Sequence, residues 1–320
     1  MTASEPLPGQ PFEFVAAGEI LVDLVAADRQ LPLREVRSFL KLFGGAPANV
    51  AANLQRLGVR STIVSRVGND GLGTFLIDAL AALGVDGRHV TRDPHLPTSL
   101  VVVTSGRTPP EFVAYRQADT QLQPADLPDS LLAGCRVFHT TAHGIARQPT
   151  RQTVLEAFRR VHALGRWTSF DPNYSPTFWP DREEALAVLR EFLACTTFCK
   201  PSLDDCERLF GPRSVDQFLD RLHDWGAERV LLTKGAEGAV FSRCDGGRRS
   251  YPALVPPALV DTTGAGDAFT AGFLAAYLRT GDEDRAMRAG LRTASIKIQH
   301  LGAIAPLPSL EEILASSGPA

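Results

Sequence analysis

Short apolar runs alternate with longer runs whose apolar residues recur at helical spacing along most of the chain. Residues 12–17 form an apolar run of strand length, and residues 46–57 carry apolar positions at helical spacing up to Gly58. Residues 63–67 and 70–83 repeat the pair, and Gly84 ends the second helix. This alternation is typical of a parallel sheet whose two faces are covered by helices.

The same alternation resumes after residue 135 and continues towards the C-terminus. Later strands are predicted at residues 136–141, 167–170, 196–199, 230–233 and 239–241. Later helices are predicted at residues 149–164, 182–194, 203–210, 215–225, 267–279 and 285–299. We therefore expect residues 1–320 to form a single α/β domain.

The rhythm changes between residues 98 and 118. Residues 99–104 and 111–115 are predicted to be two strands joined by a turn over residues 105–110, and residues 34–43 are a further β-like stretch. We expect a small β lid, formed by about residues 20–43 and 98–118 and inserted in the main domain. Residues 1–11 carry prolines and no basic segment, so we expect a loose tail and no signal peptide.

Composition excludes several classes of function. Hydrophobic residues make up 44% of the chain and charged residues 22%, with a net charge of −3. This balance offers no basic surface for nucleic acid or anionic lipid, and the arginines of residues 243–249 are expected to lie in a solvated loop. No apolar run approaches the roughly 18 residues that a membrane-spanning helix needs. We expect neither a nucleic-acid partner nor a membrane.

The cysteine pattern indicates a reducing compartment. The five cysteines contain no C-x-x-C pair and no further Cys or His at zinc-ligand spacing. Buried reduced thiols in a cytoplasmic protein are the expected state.

The segment Asp-Thr-Thr-Gly-Ala-Gly-Asp at residues 261–267 carries the clearest chemistry. Gly264, Ala265 and Gly266 remove side chains just before a predicted helix, where backbone N–H groups and the helix dipole favour an anion. Asp267 follows as a candidate base for a hydroxyl that attacks a phosphate. The alternative is an ordinary helix start with a capping aspartate. An anion hole beside a base predicts phosphoryl transfer.

A second glycine-rich segment, Gly-Gly-Ala-Pro-Ala-Asn-Val-Ala at residues 44–51, runs on to Leu57-Gly58. The ordered pair of segments resembles the two signatures of the PfkB (ribokinase-like) carbohydrate kinases, most like fructokinase and 2-keto-3-deoxygluconate kinase. The resemblance implies a ribokinase-like three-layer sandwich with a central, mostly parallel sheet and a small β lid. It also implies ATP and Mg²⁺ as cofactors, with K⁺ in many relatives.

The resemblance implies a set of sugar-binding residues: Asp23, Gly44, Gly45, Asn49, Arg116 and Asp171. For Asp23 the alternative is a solvated loop carboxylate, and for Arg116 an exposed lid charge. Ser175 stands where relatives carry an arginine after the Asp171 segment, and the loss of that cation favours a neutral sugar over a sugar acid.

The resemblance also implies nucleotide-binding residues, namely Lys200, Ser202, Thr233 and Gly235. Asp205 would organise Mg²⁺ through water, although it and Ser202 replace the family's Glu and Asn, and a helix N-terminus is the alternative. Asp261 and Thr263 correspond to positions that hold K⁺ in many relatives.

We therefore predict ATP-dependent phosphorylation of a primary hydroxyl of a small carbohydrate, first of all fructose. The alternatives are 2-keto-3-deoxygluconate, 5-dehydro-2-deoxygluconate and, with less support, a nucleoside. A nicotinamide-dependent oxidoreductase and a Walker-type NTPase lack their glycine motifs here. A catalytically silent sugar- or nucleotide-binding regulator on the same fold remains a further alternative. The expected partners are the sugar and ATP, with a homodimer formed through the lid.

Overall fold

A computed structural model describes residues 12–106 and 111–316. Nine strands of this part of the chain form one large sheet in the order β13-β12-β11-β10-β9-β8-β1-β4-β5. Its strands are β1 Phe14–Ala17, β4 Ser61–Gly68, β5 Val90–Asp93, β8 Val137–Thr141, β9 Trp167–Asp171, β10 Phe198–Cys199, β11 Arg229–Thr233, β12 Ala239–Arg243 and β13 Arg248–Tyr251.

The seven neighbouring strands from β11 to β5 run parallel, and β12 and β13 complete one edge as antiparallel strands. Strands β1 and β8 are buried along their whole length, because helices cover both faces of the sheet. The carboxyl ends of the parallel strands therefore meet at one edge, where open α/β sheets bind their ligands.

Helices flank the sheet on both sides. They are α1 Ala46–Arg56, α2 Gly71–Ala82, α3 Asp129–Gly134, α4 Thr150–Ala163, α5 Arg182–Leu193, α6 Leu203–Phe210, α7 Val215–Asp224, α8 Ala265–Thr280, α9 Glu283–Lys297 and α10 Leu310–Ser316.

Two hydrophobic clusters lie on opposite faces of the sheet. Along β1, Val15 and Ala17 belong to one cluster, whereas Phe14 and Ala16 belong to the other, as the alternation of a strand requires. The first cluster includes Phe158 of α4, and the second includes residues of α1, α8 and α9. The predicted layered α/β architecture with a mostly parallel sheet is confirmed.

A second sheet of four strands, in the order β3-β2-β6-β7, is formed by the described residues. Its strands are β2 Leu21–Ala26, β3 Phe39–Gly44, β6 Leu100–Val103 and β7 Phe112–Tyr115. They fall within the segments that the sequence assigns to a lid. The β-like stretch predicted from residue 34 starts later, because Leu33–Glu35 forms a 3-10 turn instead. Residues 107–110 of the predicted turn and the predicted tail, residues 1–11, lie outside the described residues.

Residues 243–249 are exposed, as the predicted solvated loop requires, but they form a β-hairpin that joins β12 to β13 and not an irregular loop. Its arginines are paired with carboxylates: Arg243 lies 2.5 Å from Asp245, and Arg248 lies 2.6 Å from Asp216. Strand β5 and helices α3 and α10 carry too few periodic residues to be recognised from the pattern alone.

The five cysteines are free thiols. Three of them are buried as expected, but Cys195 is half-buried and Cys244 is exposed. In the described part of the chain, no helix is both long and apolar enough to span a membrane.

Candidate active site

A cavity of about 1050 Å³ opens at the carboxyl ends of β9, β10 and β11. Each of these strands delivers one polar residue to it: Asp171 ends β9, Lys200 follows β10, and Thr233 ends β11. The start of α8 forms another part of its wall, so the strand ends face a helix N-terminus. The cavity is therefore an electrostatically favourable place for a phosphate chain.

The predicted anion hole lies at the first turn of α8. Gly264 precedes the helix with a φ of +73°, and a Cβ there would lie 2.7 Å from the Cβ of Ala303. The N–H of Ala265 donates to the carbonyl oxygen of Thr262 at 3.1 Å. The amides of Gly266 and Asp267 lie in the first turn, where the helix supplies no carbonyl partner. These two amides, more than that of Ala265, are placed to receive an anion.

Asp267 joins the two signature segments of the chain. Its Oδ2 accepts a hydrogen bond of 2.8 Å from Nδ2 of Asn49, which lies 218 residues earlier on α1. The carboxylate is buried, and burial raises its pKa, although Asn49 and the ammonium groups of Lys200 and Lys297 act in the opposite direction. A carboxylate with a raised pKa is a stronger base than an exposed one.

Asn49 carries a hydrogen-bond acceptor that is not satisfied within the protein. Its side-chain Oδ1 is buried and has no hydrogen-bond partner among the described residues. A buried acceptor without a partner is unfavourable, and a ligand hydroxyl would satisfy it. Gly45 precedes α1 directly and leads the chain into Asn49, whose N–H donates to the carbonyl oxygen of Gly45 at 2.8 Å.

Glu19, which the sequence did not indicate, holds the start of α1 in place. Its Oε1 accepts a hydrogen bond of 3.1 Å from the N–H of Ala46 at the start of α1. Burial raises the pKa of Glu19 to about 8, against the charge of Arg116. The only sequence signal was its place directly after the first strand, beside Gly18.

Asp23 lies on β2 and not in a loop, so the solvated-loop alternative is wrong. A Cβ on Gly44, in the neighbouring strand β3, would lie 2.2 Å from Oδ2 of Asp23, so a larger residue there would displace this carboxylate. Burial and the charges of Asp267 and Asp261 raise the pKa of Asp23 to about 7. Asp23 therefore shares one electrostatic environment with Asp267.

Arg116 is buried, so the alternative of an exposed lid charge is wrong. Its Nε donates to Oδ2 of Asp119 at 2.6 Å, and its Nη1 donates to the carbonyl oxygen of His143 at 2.9 Å. The guanidinium also lies 5.5 Å from the ring centre of Phe178. These contacts hold Arg116 in place, and its contact with a sugar stays a prediction.

Asp171 and Lys200 form a buried ion pair, with 2.7 Å between Oδ2 and Nζ. Burial raises the pKa of Asp171 to about 7 despite the ammonium beside it. Burial acts against the charge of Lys200, yet nearby carboxylates, Asp171 first, raise its pKa. A Cβ on Gly266 would lie 2.6 Å from the Lys200 Nζ, which places this ammonium directly beside the predicted anion hole. Asp171, predicted to bind the sugar, therefore lies beside Lys200 in the cavity lined by the predicted nucleotide-binding residues.

Ser202 and Asp205 form a reciprocal cap at the start of α6. Ser202 Oγ accepts from the N–H of Asp205 at 3.0 Å, and Oδ2 of Asp205 accepts from the N–H of Ser202 at 2.9 Å. Oδ1 of Asp205 accepts from the N–H of Tyr174 at 3.0 Å. This is the helix N-terminus that the sequence offered as an alternative. Thr233 and Gly235 line the same cavity.

Asp261 accepts hydrogen bonds from Thr263 and from the segment after α9. Oδ1 of Asp261 accepts from the N–H of Thr263 at 2.9 Å and from its Oγ1 at 2.8 Å. Oδ2 accepts from the N–H of Gly302 at 2.9 Å. The carbonyl oxygen of Asp261 accepts from Nζ of Lys297 at 2.8 Å, a contact that the sequence did not predict.

Comparison with known proteins assigns most of the chain to one protein family. The pattern that describes "pfkB family carbohydrate kinase" matches residues 12–310. An ATP-dependent 6-phosphofructokinase of Thermoanaerobacterium thermosaccharolyticum is 33% identical over 302 residues, which cover 94% of this chain and 92% of the relative. A fructokinase of Klebsiella pneumoniae is 34% identical over 83% of this chain and 85% of its own length. A 5-dehydro-2-deoxygluconokinase of Geobacillus kaustophilus is 28% identical over 95% and 93%.

Solved structures agree with the sequence relatives. The fructokinase of Vibrio cholerae O395 in its fructose-, ADP- and calcium-bound form superposes with a TM-score of 0.84 at 30% identity, covering 95% of this chain and 99% of that one. A ribokinase II of E. coli, described as putative and solved with ATP and Mg²⁺, superposes with a TM-score of 0.86 at 27% identity, covering 95% and 98%. The ribokinase-like fold predicted from the two signature segments is confirmed.

Proposed function

Because this chain belongs to the pfkB family of carbohydrate kinases, we propose that it transfers the γ-phosphoryl group of ATP to a primary hydroxyl of fructose. One observation carries this proposal: the Asp267 carboxylate lies at the first turn of α8 and is bonded to Asn49 of the other signature segment. An activating base and a group able to bind a sugar hydroxyl thus stand within one hydrogen bond of each other.

The reaction follows from the placement of these groups. Asn49 and Asp23 bind the sugar, and Asp267 takes the proton of the hydroxyl that attacks the γ-phosphorus of ATP. The new O–P bond forms as the bond to the β-phosphate oxygen breaks, and ADP leaves. The amides of Gly266 and Asp267 and the ammonium of Lys200 stabilise the charge on the transferring group.

ATP lies along the cavity, with its phosphates towards α8 and its nucleoside towards Thr233 and Gly235. No cluster of three or more carboxylate, histidine or cysteine ligands occurs in residues 12–106 and 111–316. This suits Mg²⁺, which binds through phosphate oxygens and water and needs few protein ligands. Asp205 would hold a water of that shell, and the ion would neutralise charge on the phosphates.

Two observations favour fructose. First, Ser175 stands where an arginine would bind the carboxylate of a sugar acid, so that cation is missing here. Second, the chain is 34% identical to the Klebsiella pneumoniae fructokinase and 30% identical to the Vibrio cholerae fructokinase of known structure. Because one relative is a 6-phosphofructokinase, fructose 6-phosphate is the second substrate to examine. The relative named 5-dehydro-2-deoxygluconokinase adds 5-dehydro-2-deoxygluconate as a further candidate. Reduced thiols and the use of ATP suit a cytoplasmic enzyme.

The substrate is tested by coupling ADP release to a spectroscopic signal with a panel of sugars. The panel contains fructose, fructose 6-phosphate, 2-keto-3-deoxygluconate, 5-dehydro-2-deoxygluconate and ribose. Fructose should give the highest kcat/KM, by about tenfold or more over each of the others. A higher value for any other sugar would replace fructose, whereas binding of ATP and sugars without ADP release would indicate a silent regulator.

Asp23→Asn is expected to lower kcat/KM for the sugar by about a hundredfold while the KM for ATP stays within about threefold. The amide keeps the size of the side chain but loses one strong acceptor for sugar hydroxyls. Asp28→Asn is the matched control, since Asp28 is a half-buried carboxylate just after β2 that accepts a hydrogen bond of 3.0 Å from the N–H of Arg37. Equal losses in both variants would remove Asp23 from the sugar site.

We further propose that the four-stranded sheet acts as a lid over the sugar and as the contact of a homodimer. Its edge strands β3 and β7 expose Leu40, Val113 and Tyr115, the last with 55% of its surface accessible. Exposed edges with apolar residues favour pairing with another copy. Sedimentation velocity should show a dimer for the natural chain and a monomer for Val113→Asp; a monomer for both would contradict the proposal.

A further inference from the structure

A buried lysine ends the helix that packs beside the anion hole. Lys297 is the last residue of α9, and its side chain is fully buried. Its Nζ donates to the carbonyl oxygen of Asp261 at 2.8 Å and to that of His300 at 3.3 Å. An ammonium bonded to two backbone carbonyl oxygens has the charge and the ligand type of a bound monovalent cation.

The segment that precedes the anion hole offers little else to a free cation. Both carboxylate oxygens of Asp261 already accept hydrogen bonds from Thr263 and Gly302, and its carbonyl oxygen is bonded to Lys297. The residues predicted to hold K⁺ are therefore engaged inside the protein. Because the Lys297 ammonium bonds the carbonyl oxygens of Asp261 and His300, this donor set does not fit a potassium ion in addition.

The lysine is linked to the reacting groups through a short path. Asp261 lies three residues before Gly264, which packs against Ala303 in the segment that follows α9. The N–H of Val260 and the N–H of Asp261 both donate to the carbonyl oxygen of Ile298, the residue after Lys297. These contacts tie the approach to the anion hole to the end of α9, so an ammonium between them fixes the position of both.

We propose that Lys297 replaces a monovalent cation at this place and makes the kinase independent of K⁺. Lys297 is then a positioning residue: it holds the Asp261 segment and the first turn of α8 in the arrangement that receives the phosphoryl group. The inference rests on the proposed kinase activity and adds to it the absence of a monovalent-cation requirement.

The natural chain provides the first test. Initial rates are measured at saturating ATP and sugar in KCl and in choline chloride of equal ionic strength, with every other alkali cation removed. The two rates should agree within about twofold. A stimulation of about tenfold or more by K⁺ would overturn the inference, because it would show that an ion acts where the lysine lies.

Lys297→Ala is the second test. In choline chloride its kcat should fall by about tenfold or more, and K⁺ or NH₄⁺ should restore much of the loss. Gln299→Ala is the matched control, because Gln299 bonds a carbonyl oxygen near the same helix end without a charge, through Nε2 at 2.9 Å from Ser295. That control should remain independent of K⁺. Loss of activity in Lys297→Ala without rescue by any cation would argue for a purely structural lysine.

Thermal unfolding separates this inference from the proposed activity. K⁺ should raise the Tm of Lys297→Ala relative to choline and leave that of the natural chain unchanged, whichever sugar is the substrate. An inactive natural enzyme with this Tm pattern would contradict the kinase assignment alone. A Tm of the natural chain that rises specifically with K⁺ would contradict the role of Lys297, and this measurement stands even where the variant folds poorly.

Discussion

Asp267→Asn is expected to reduce kcat by a factor of hundreds or more, with the KM for ATP nearly unchanged. The amide has the shape of the carboxylate, and its oxygen can still accept the 2.8 Å hydrogen bond from Asn49. It cannot take the proton of the sugar hydroxyl. Since burying a carboxylate is unfavourable, the variant should unfold at the same temperature as the natural chain or somewhat higher.

The pH dependence of kcat checks the same assignment. Burial raises the pKa of Asp267 above its ordinary 3.8, and the base acts only when deprotonated. The rate should therefore fall as the pH is lowered, with a midpoint above the usual range of an exposed carboxyl. Asp204→Asn, which changes an exposed carboxylate of the same cavity, should retain both the rate and this pH profile.

Gly264→Ala is expected to lower kcat by about a hundredfold and the free energy of unfolding by about 3 kcal/mol. Its φ of +73° already disfavours any side chain, and the new Cβ would lie 2.7 Å from the Cβ and 2.8 Å from the Cα of Ala303. Because part of this contact is backbone, the clash must displace the first turn of α8. The amides that receive the phosphate would move with it.

Gly281→Ala separates the strain of a positive φ from the clash. Gly281 lies at the other end of α8 with a φ of +65°, and its Cβ would meet open space. The Gly281→Ala substitution should lower the free energy of unfolding by about 1 kcal/mol and leave kcat within about twofold of the natural value. Circular dichroism gives the stabilities and the ADP-coupled assay gives the rates. Equal activities of the two variants would show that the turn before α8 does not shape the anion hole.

The features that the sequence predicted are those in which the residue type itself fixes the local geometry or chemistry. Gly264 and Gly266 at the start of α8 and the helical spacing of residues 46–57 marked the two helix starts, and both signature segments meet at the Asn49–Asp267 hydrogen bond. The parallel sheet followed from apolar strands that alternate with amphipathic helices.

The features that the sequence did not predict depend on contacts between distant segments. Arg116 could be exposed or buried until the fold placed Asp119 beside it, and residues 243–249 became a hairpin through pairing with the sheet edge. Lys297 sits in a helix whose pattern gives no sign of the carbonyl oxygens of Asp261 and His300. Such partners are set by tertiary packing, which residue spacing does not encode.

Transfer of labelled γ-phosphate from ATP to fructose tests the central claim most directly, because it follows the group itself and not only the release of ADP. The natural enzyme should produce a labelled sugar phosphate with the phosphate on a primary hydroxyl, and Asp267→Asn should produce almost none over the same time. Label found only in inorganic phosphate, or a sugar phosphate formed equally well by Asp267→Asn, would contradict the account.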